Sequence, residues 1–197
     1  MRIGEVARTL RPSQITDWCH DIIRSQASEG GFYIDATMGK GNDTLMLCRL
    51  AKENGRVLAF DIQEEALRIT EAKLQEAGMD HLAELILDGH EHMDRYAGEE
   101  TADVICFNFG YLPGGDHRIA TSAETSTEAV RRGLKILKPG GMMSLCIYSG
   151  GDTGFEEKER ILCLLRTLPA REYTVIVNEY YNRENCPPMP VFVFKRG

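Results

Sequence analysis

No apolar run in this chain approaches the ~20 residues that a bilayer-spanning helix needs. Its first residues, MRIGEVARTLRPSQ, lack the apolar core of a secretory leader. A cytoplasmic protein with no membrane attachment is therefore expected. A basic excess is missing too: 23 Lys and Arg face 30 Asp and Glu, for a formal net charge of −7. That balance argues against a sequence-blind nucleic-acid binder held by phosphate contacts. It leaves room for RNA read through a local patch, and Arg131, Arg132, Lys135 and Lys138 do gather. A solvated helix face explains that cluster equally well. No Cys-x-x-Cys pair occurs among Cys19, Cys48, Cys106, Cys146, Cys163 and Cys186. Several sit inside apolar stretches such as VICF and MSLCIY, so buried reduced thiols explain them better than disulfides or zinc. No repeat, low-complexity tract or linker divides the chain, and 197 residues suit one well-buried domain.

What the chain does have is alternation. An N-terminal helix is expected over residues 13–28. FYIDAT (32–37), RVLAFDI (56–62), AELILDG (83–89), ADVICFNFG (102–110) and GMMSLCIYSG (141–150) read as strands. NDTLMLCRLAKE (42–53) and QEEALRITEAKLQEAG (63–78) have apolar residues at helical spacing. SAETSTEAVRRGLKILKPGG (122–141) opens with capping residues and stops at Lys138-Pro139-Gly140, and EEKERILCLLRTL (156–168) is a further helix. YTVIVNEYYN and MPVFVFKR close the chain as two strands with no helix between them. Five βα units and a hairpin predict a single α/β domain over residues 1–197. Its sheet is seven-stranded, doubly wound and mostly parallel, with an antiparallel C-terminal edge hairpin.

Ligands of such sheets bind at the carboxyl ends of the strands, where strand order reverses. Asp35, Asp61 and Asp88 end the first three strands and Asn108 the fourth. One carboxylate there is an ordinary cap or turn residue; three in succession followed by an amide suggest a site. The loop DATMGKGNDT has glycines where backbone must approach a ligand. It is not a P-loop, because Gly41 follows Lys40, and Thr44 stands where a dinucleotide fingerprint needs its third glycine. Asp35 would also repel a pyrophosphate, which counts against NAD. A cationic ligand reverses that sign, and S-adenosylmethionine, with a sulfonium and an amino group, fits. Asp61 can accept from two ribose hydroxyls, and Asp88 with the following backbone can receive the adenine amino group. In GHEHMD, His90 and His92 diverge on a helix and miss the zinc-protease spacing, so no metal is expected. His90 is read as a wall of the adenosine pocket.

NFGYLPGGDH (108–117) then faces the transferable methyl group. The carbonyl of Asn108 can orient an amino nucleophile, in a layout like the N-P-P-Y loop of amino-group methyltransferases. Tyr111 can stack on a planar base, and Gly114 and Gly115 admit a bulky substrate. Asp116 and His117 are the candidates for taking a proton from an alkylammonium. Turn chemistry alone accounts for Pro113 to Asp116, but not for Asn108 and Tyr111.

Taken together, DATMGKGNDT, FDIQ, GHEHMD, NFGYLPGGDH, LKPGG and IYSGGDTGFEEKE resemble the bacterial family labelled "putative rRNA methylases". Members of that family are associated with methylation of the aminomethyl group on tRNA wobble uridine. The resemblance runs from about residue 14 to the C-terminus. It implies a class I, Rossmann-like methyltransferase fold, S-adenosylmethionine as donor with S-adenosylhomocysteine as product, and the tRNA anticodon loop as partner. It maps the cofactor motif onto Asp35, Thr37, Gly39, Asn42, Asp43, Asp61, Gln63 and His90, beside Asp88 and Asn108. The substrate loop maps onto Asn108 to His117, including Gly110, Leu112 and Pro113, with Tyr148 of IYSGG also on the substrate side. Family members often carry a histidine after Y-x-G; here Gly151 is followed by Asp152, so a role for that histidine does not transfer. The leading expectation is N-methylation of 5-aminomethyl-2-thiouridine at tRNA position 34. The alternatives are an rRNA base, a small-molecule amine, or a nucleotide-binding or dehydrogenase-like protein without this chemistry. Pairing two copies would lengthen a basic surface, which makes a homodimer a further expectation.

Overall fold

The computed structural model describes residues 15–110, 121–148, 151–183 and 187–197, with the backbone alone for 151–153. Helix α1 (Ile15–Gln26) precedes strand β1 (Phe32–Asp35), helix α2 (Asn42–Ala51), β2 (Arg56–Asp61), α3 (Glu64–Glu76) and β3 (Ala83–Leu87). Then follow β4 (Ala102–Phe109), α4 (Ala123–Ile136), β5 (Leu137–Ile147), α5 (Gly151–Arg166), β6 (Tyr173–Val177) and β7 (Met189–Lys195). The seven strands lie in the order β3-β2-β1-β4-β5-β7-β6. All neighbouring pairs from β3 through β5 are parallel, while β7 runs antiparallel to both β5 and β6.

Alternation along the strands builds a two-sided core. Tyr33, Val104, Cys106 and Met142 face one side with Ile23 of α1 and Leu47 of α2. Their neighbours Ile34, Ile105, Phe107 and Met143 face the other, against Val130 of α4 and Ile161 of α5. Each side chain of this kind that is fully buried contributes roughly 1.5–3 kcal/mol by leaving water, so the central strands are stabilised from both faces. Cys19, Cys48, Cys106 and Cys146 are part of this packing, whereas Cys163 is exposed on α5. Among the described residues no helix is long and apolar enough to cross a membrane.

Two expectations about elements are corrected. The connection from β3 to β4 is a short 3-10 helix, His90–Arg95, not an α-helix, so four of the five expected βα units hold an α-helix. His90 and Met93 are buried there, and this tight turn brings a histidine to the strand ends. The helix expected to run to Pro139 ends at Ile136, and LKPGG already belongs to β5. Leu137 pairs with Ala102, then the register shifts so that Met142 meets Val104. Pro139 has no N–H to give the ladder, so the strand bulges around it. At the other end of α4, Ser122 and Thr125 form the capping box that the opening residues suggested.

The strand order fixes where a ligand can sit. From β1 the chain winds outward to β3, and from β4 it winds the opposite way, so the switch point lies between β1 and β4. Asp35 and Asn108 stand at the carboxyl ends of those two strands.

Candidate active site

A cavity of about 370 Å³ opens at the switch point, within the size range of small-molecule sites. The loop after β1 supplies one wall. Gly41 caps α2 with φ +70°, and a Cβ added there would lie 2.7 Å from the Thr70 hydroxyl, so both conformation and space require glycine. This packing lets the backbone from Thr37 to Lys40 line the cavity directly.

A chain of hydrogen bonds spans the switch point. The Asn108 backbone N–H donates to Thr37 Oγ1 at 2.7 Å, joining the ends of β4 and β1. The Asn108 side-chain Nδ2 donates to Asp43 Oδ2 at 2.8 Å. The other oxygen of Asp43 is 2.6 Å from His20 Nε2 on α1. With its NH₂ committed to Asp43, the Asn108 amide has its carbonyl oxygen, an acceptor, left for a ligand. Asn108, Asp43 and Thr37 all line the cavity.

Asp35 does not line it. Its side chain is fully buried, accepting from Thr44 Oγ1 at 2.6 Å and from the Thr37 N–H at 3.2 Å. Burial, with the nearby Asp43 carboxylate, pushes its pKa up to about 7. The carboxylate that reaches the cavity on this side is Asp43.

On the β2 side, Asp61 accepts the Gly39 N–H and the Gln63 N–H, both at 3.0 Å, one on each oxygen. These donors leave lone-pair capacity on the carboxylate for hydroxyls of a ligand. Asp61, Gln63 and Asn42 line the cavity; the Asn42 amide oxygen also accepts from Lys73 Nζ at 2.5 Å. Beyond β3, Asp88 accepts from His92 Nδ1 at 2.7 Å, the Gly89 N–H at 2.8 Å and the Tyr96 hydroxyl at 3.1 Å. The His92 bond lowers its pKa, so it is ionised at neutral pH. His90 meets Phe107 and Phe109 edge-on, with ring centroids 6.1 Å away in each case. Burial lowers its pKa and keeps the ring neutral, a flat, uncharged wall.

Gly110 and Tyr148 close the remaining side. Gly110 has φ +148° and stands 3.3 Å, as measured from a notional Cβ, from the Tyr148 Cβ. It exchanges bonds with Thr121, whose hydroxyl accepts the Gly110 N–H at 2.8 Å and whose N–H donates to the Gly110 carbonyl at 3.0 Å. Burial raises the Tyr148 pKa, so its phenol stays protonated. Tyr111 through His117 lie outside the described residues.

The contributors not read from the sequence include Thr121, described above, and two residues of α1. Thr16 lines the cavity, and His20, nearly buried, holds Asp43. They lie four apart in QITDWCHDI, on one face of α1, and that spacing was the available signal. The basic cluster on α4 and the start of β5 proves to be surface pairing in part. Arg132 binds Asp94 at 2.6 Å and Glu128 at 2.8 Å, and Lys138 pairs with Asp103.

Known proteins share this fold and much of this sequence. Residues 57–194 match the family model described as "Putative rRNA methylase". The chain is 33% identical over 190 residues to a "tRNA (mnm(5)s(2)U34)-methyltransferase, chloroplastic" of Arabidopsis thaliana, covering 92% of this chain and 69% of that protein. A Clostridium thermocellum crystal structure described as a "putative rRNA-methylase" superposes with a TM-score of 0.88 at 42% identity, covering 91% of this chain and 96% of the other. A Streptococcus mutans protein described as a "putative methyltransferase", crystallised with S-adenosylhomocysteine, gives 0.83 at 33% identity, covering 92% and 98%. The strand-end acids, the cavity at the switch point and these likenesses converge: the chain belongs to the rRNA_methylase family and is an S-adenosylmethionine-dependent methyltransferase with the class I fold.

Proposed function

We propose that this enzyme N-methylates the aminomethyl group of 5-aminomethyl-2-thiouridine at the wobble position of tRNA, in the anticodon loop. The observation that carries the reading is the Asn108 amide, whose donor side is fixed by Asp43 at 2.8 Å, leaving an acceptor for an amine N–H. The wobble-uridine enzyme of Arabidopsis thaliana, similar over most of this chain, supports the choice of acceptor.

When bound, the cofactor supplies an electrophilic methyl on a positively charged sulfur. Asp61 is set to hold ribose hydroxyls through the lone pairs its backbone donors leave. Asp43, held by His20, places negative charge beside the cationic end. Asn108 accepts one N–H of the incoming amine and so aims its lone pair into the cavity, where a bound donor would offer its methyl group. Transfer would make the N–C bond as the C–S bond is lost, leaving the electron pair on sulfur, and the surplus proton would leave the nitrogen. The alkylammonium must lose a proton before it can attack, and we assign that step to Asp116 or His117. Alignment supplies most of the acceleration.

The test is methyl transfer from labelled donor to tRNA carrying the unmethylated aminomethyl nucleoside, read by nucleoside mass spectrometry. Conversion to the methylaminomethyl nucleoside is expected. Label entering rRNA fragments or free amines, with tRNA untouched, would overturn the assignment in favour of the other acceptor classes.

The buried acid also gives cofactor binding a pH dependence. Asp35 has its pKa raised to about 7 by burial and by Asp43, with Asp61 adding to the effect. A cation seated in the cavity favours the ionised form of Asp35. Below that pH, binding must first expel a proton; above it, the carboxylate is already charged. Affinity for S-adenosylmethionine should therefore strengthen as pH rises through about 7 and level off, with up to about one proton released per site. Calorimetry in buffers of different ionisation enthalpy measures that release. Constant affinity from about one unit below to one unit above the midpoint would contradict this linkage.

A further inference from the structure

The turn between β6 and β7 lies at the catalytic end of the sheet. Because β7 is antiparallel to both neighbours, β6 points the same way as β5, and Val177 ends at the carboxyl edge. Met189 opens β7 opposite Ile147, next to Tyr148, which lines the cavity. The stem of the turn is fixed: the Asn178 backbone N–H donates to the Pro190 carbonyl at 2.9 Å, and its side chain to the same oxygen at 3.4 Å. The Arg183 N–H donates to the Tyr180 carbonyl at 3.4 Å. Within this turn the Tyr181 ring is fully exposed, and the Arg183 guanidinium lies 4.4 Å from the Tyr180 ring centroid. No carboxylate among the described residues forms an ion pair with Arg183.

An exposed ring, next to a guanidinium laid over a second, half-buried ring, at the cavity's end of the sheet offers the kind of side chains that hold unpaired bases. The charge pattern points the same way. The net charge is −7, and two of the four cations clustered around α4 are occupied by carboxylates. Phosphate contacts alone are a poor source of grip for such a surface, whereas stacking depends little on net charge. We infer that Tyr181, with the Arg183 guanidinium braced on Tyr180, forms a stacking platform for an unpaired RNA base flanking the nucleotide that enters the cavity. This rests on the RNA reading above.

The test uses full-length tRNA with wild type, Tyr181→Ala and Tyr181→Trp. For Tyr181→Ala, KM for tRNA should rise on the order of tenfold, from loss of one base stack. Its kcat and its affinity for S-adenosylhomocysteine should stay at the wild-type values, and Tyr181→Trp should restore KM. An unchanged KM in Tyr181→Ala, with an active wild type, overturns the platform and leaves the enzymatic reading intact. So does a change in sedimentation that shows Tyr181 packing against a second copy. A wild type inactive on every RNA overturns the parent reading and the platform with it.

Discussion

Alanine in place of Asn108 is expected to lower kcat by about 10²–10³ while changing cofactor affinity less than about tenfold. The backbone bond to Thr37 Oγ1 survives the substitution, so the ends of β1 and β4 stay joined. What disappears is the acceptor proposed to aim the amine, together with the donor to Asp43. Asn108→Asp separates these two roles. It keeps an acceptor but sets a second carboxylate against Asp43, so it is expected to recover little. Single-turnover transfer with calorimetric cofactor affinity distinguishes the outcomes. Near-wild-type turnover in the alanine variant would remove Asn108 from the chemistry.

The second large effect is on stability. Phe107 is buried at 1% exposure, stacked on Phe109 with centroids 5.1 Å apart and touched edge-on by His90. Phe107→Ala should cost about 3–5 kcal/mol, a large share of the roughly 5–15 kcal/mol of a typical domain. Urea unfolding measures it, and a loss below about 1 kcal/mol would mean the site collapses around the missing ring. Phe107→Leu keeps most of the volume and should fold. Its affinity for S-adenosylhomocysteine should still fall, because His90 then lacks one of the two rings that hold it upright in the cavity wall.

The sequence made the sheet legible because the apolar runs are short, separate and bounded by glycine or acid. RVLAFDI can hardly be anything but a buried strand. Boundaries failed where local chemistry serves two elements at once: LKPGG punctuates a helix and also forms a bulge within β5. The missing third α-helix was hidden because a 3-10 turn and a helix start share the same polar residues. At the site, strand-end residues could be read from their positions, since strand ends converge in any doubly wound sheet. Their division of labour could not. Whether Asp35 or Asp43 meets the cavity depends on the turn at Gly41, which buries one and presents the other. His20 was out of reach for a different reason: its partner is 23 residues away, and helical spacing identifies a face without saying what that face meets.

The placement of β7 leaves one border of the sheet uncovered. Among the described residues β6 pairs with β7 alone, and its outer edge carries Ile176 and Val177, 46% and 45% exposed in the folded chain. Such a border can accept a further strand, from another molecule or a bound peptide.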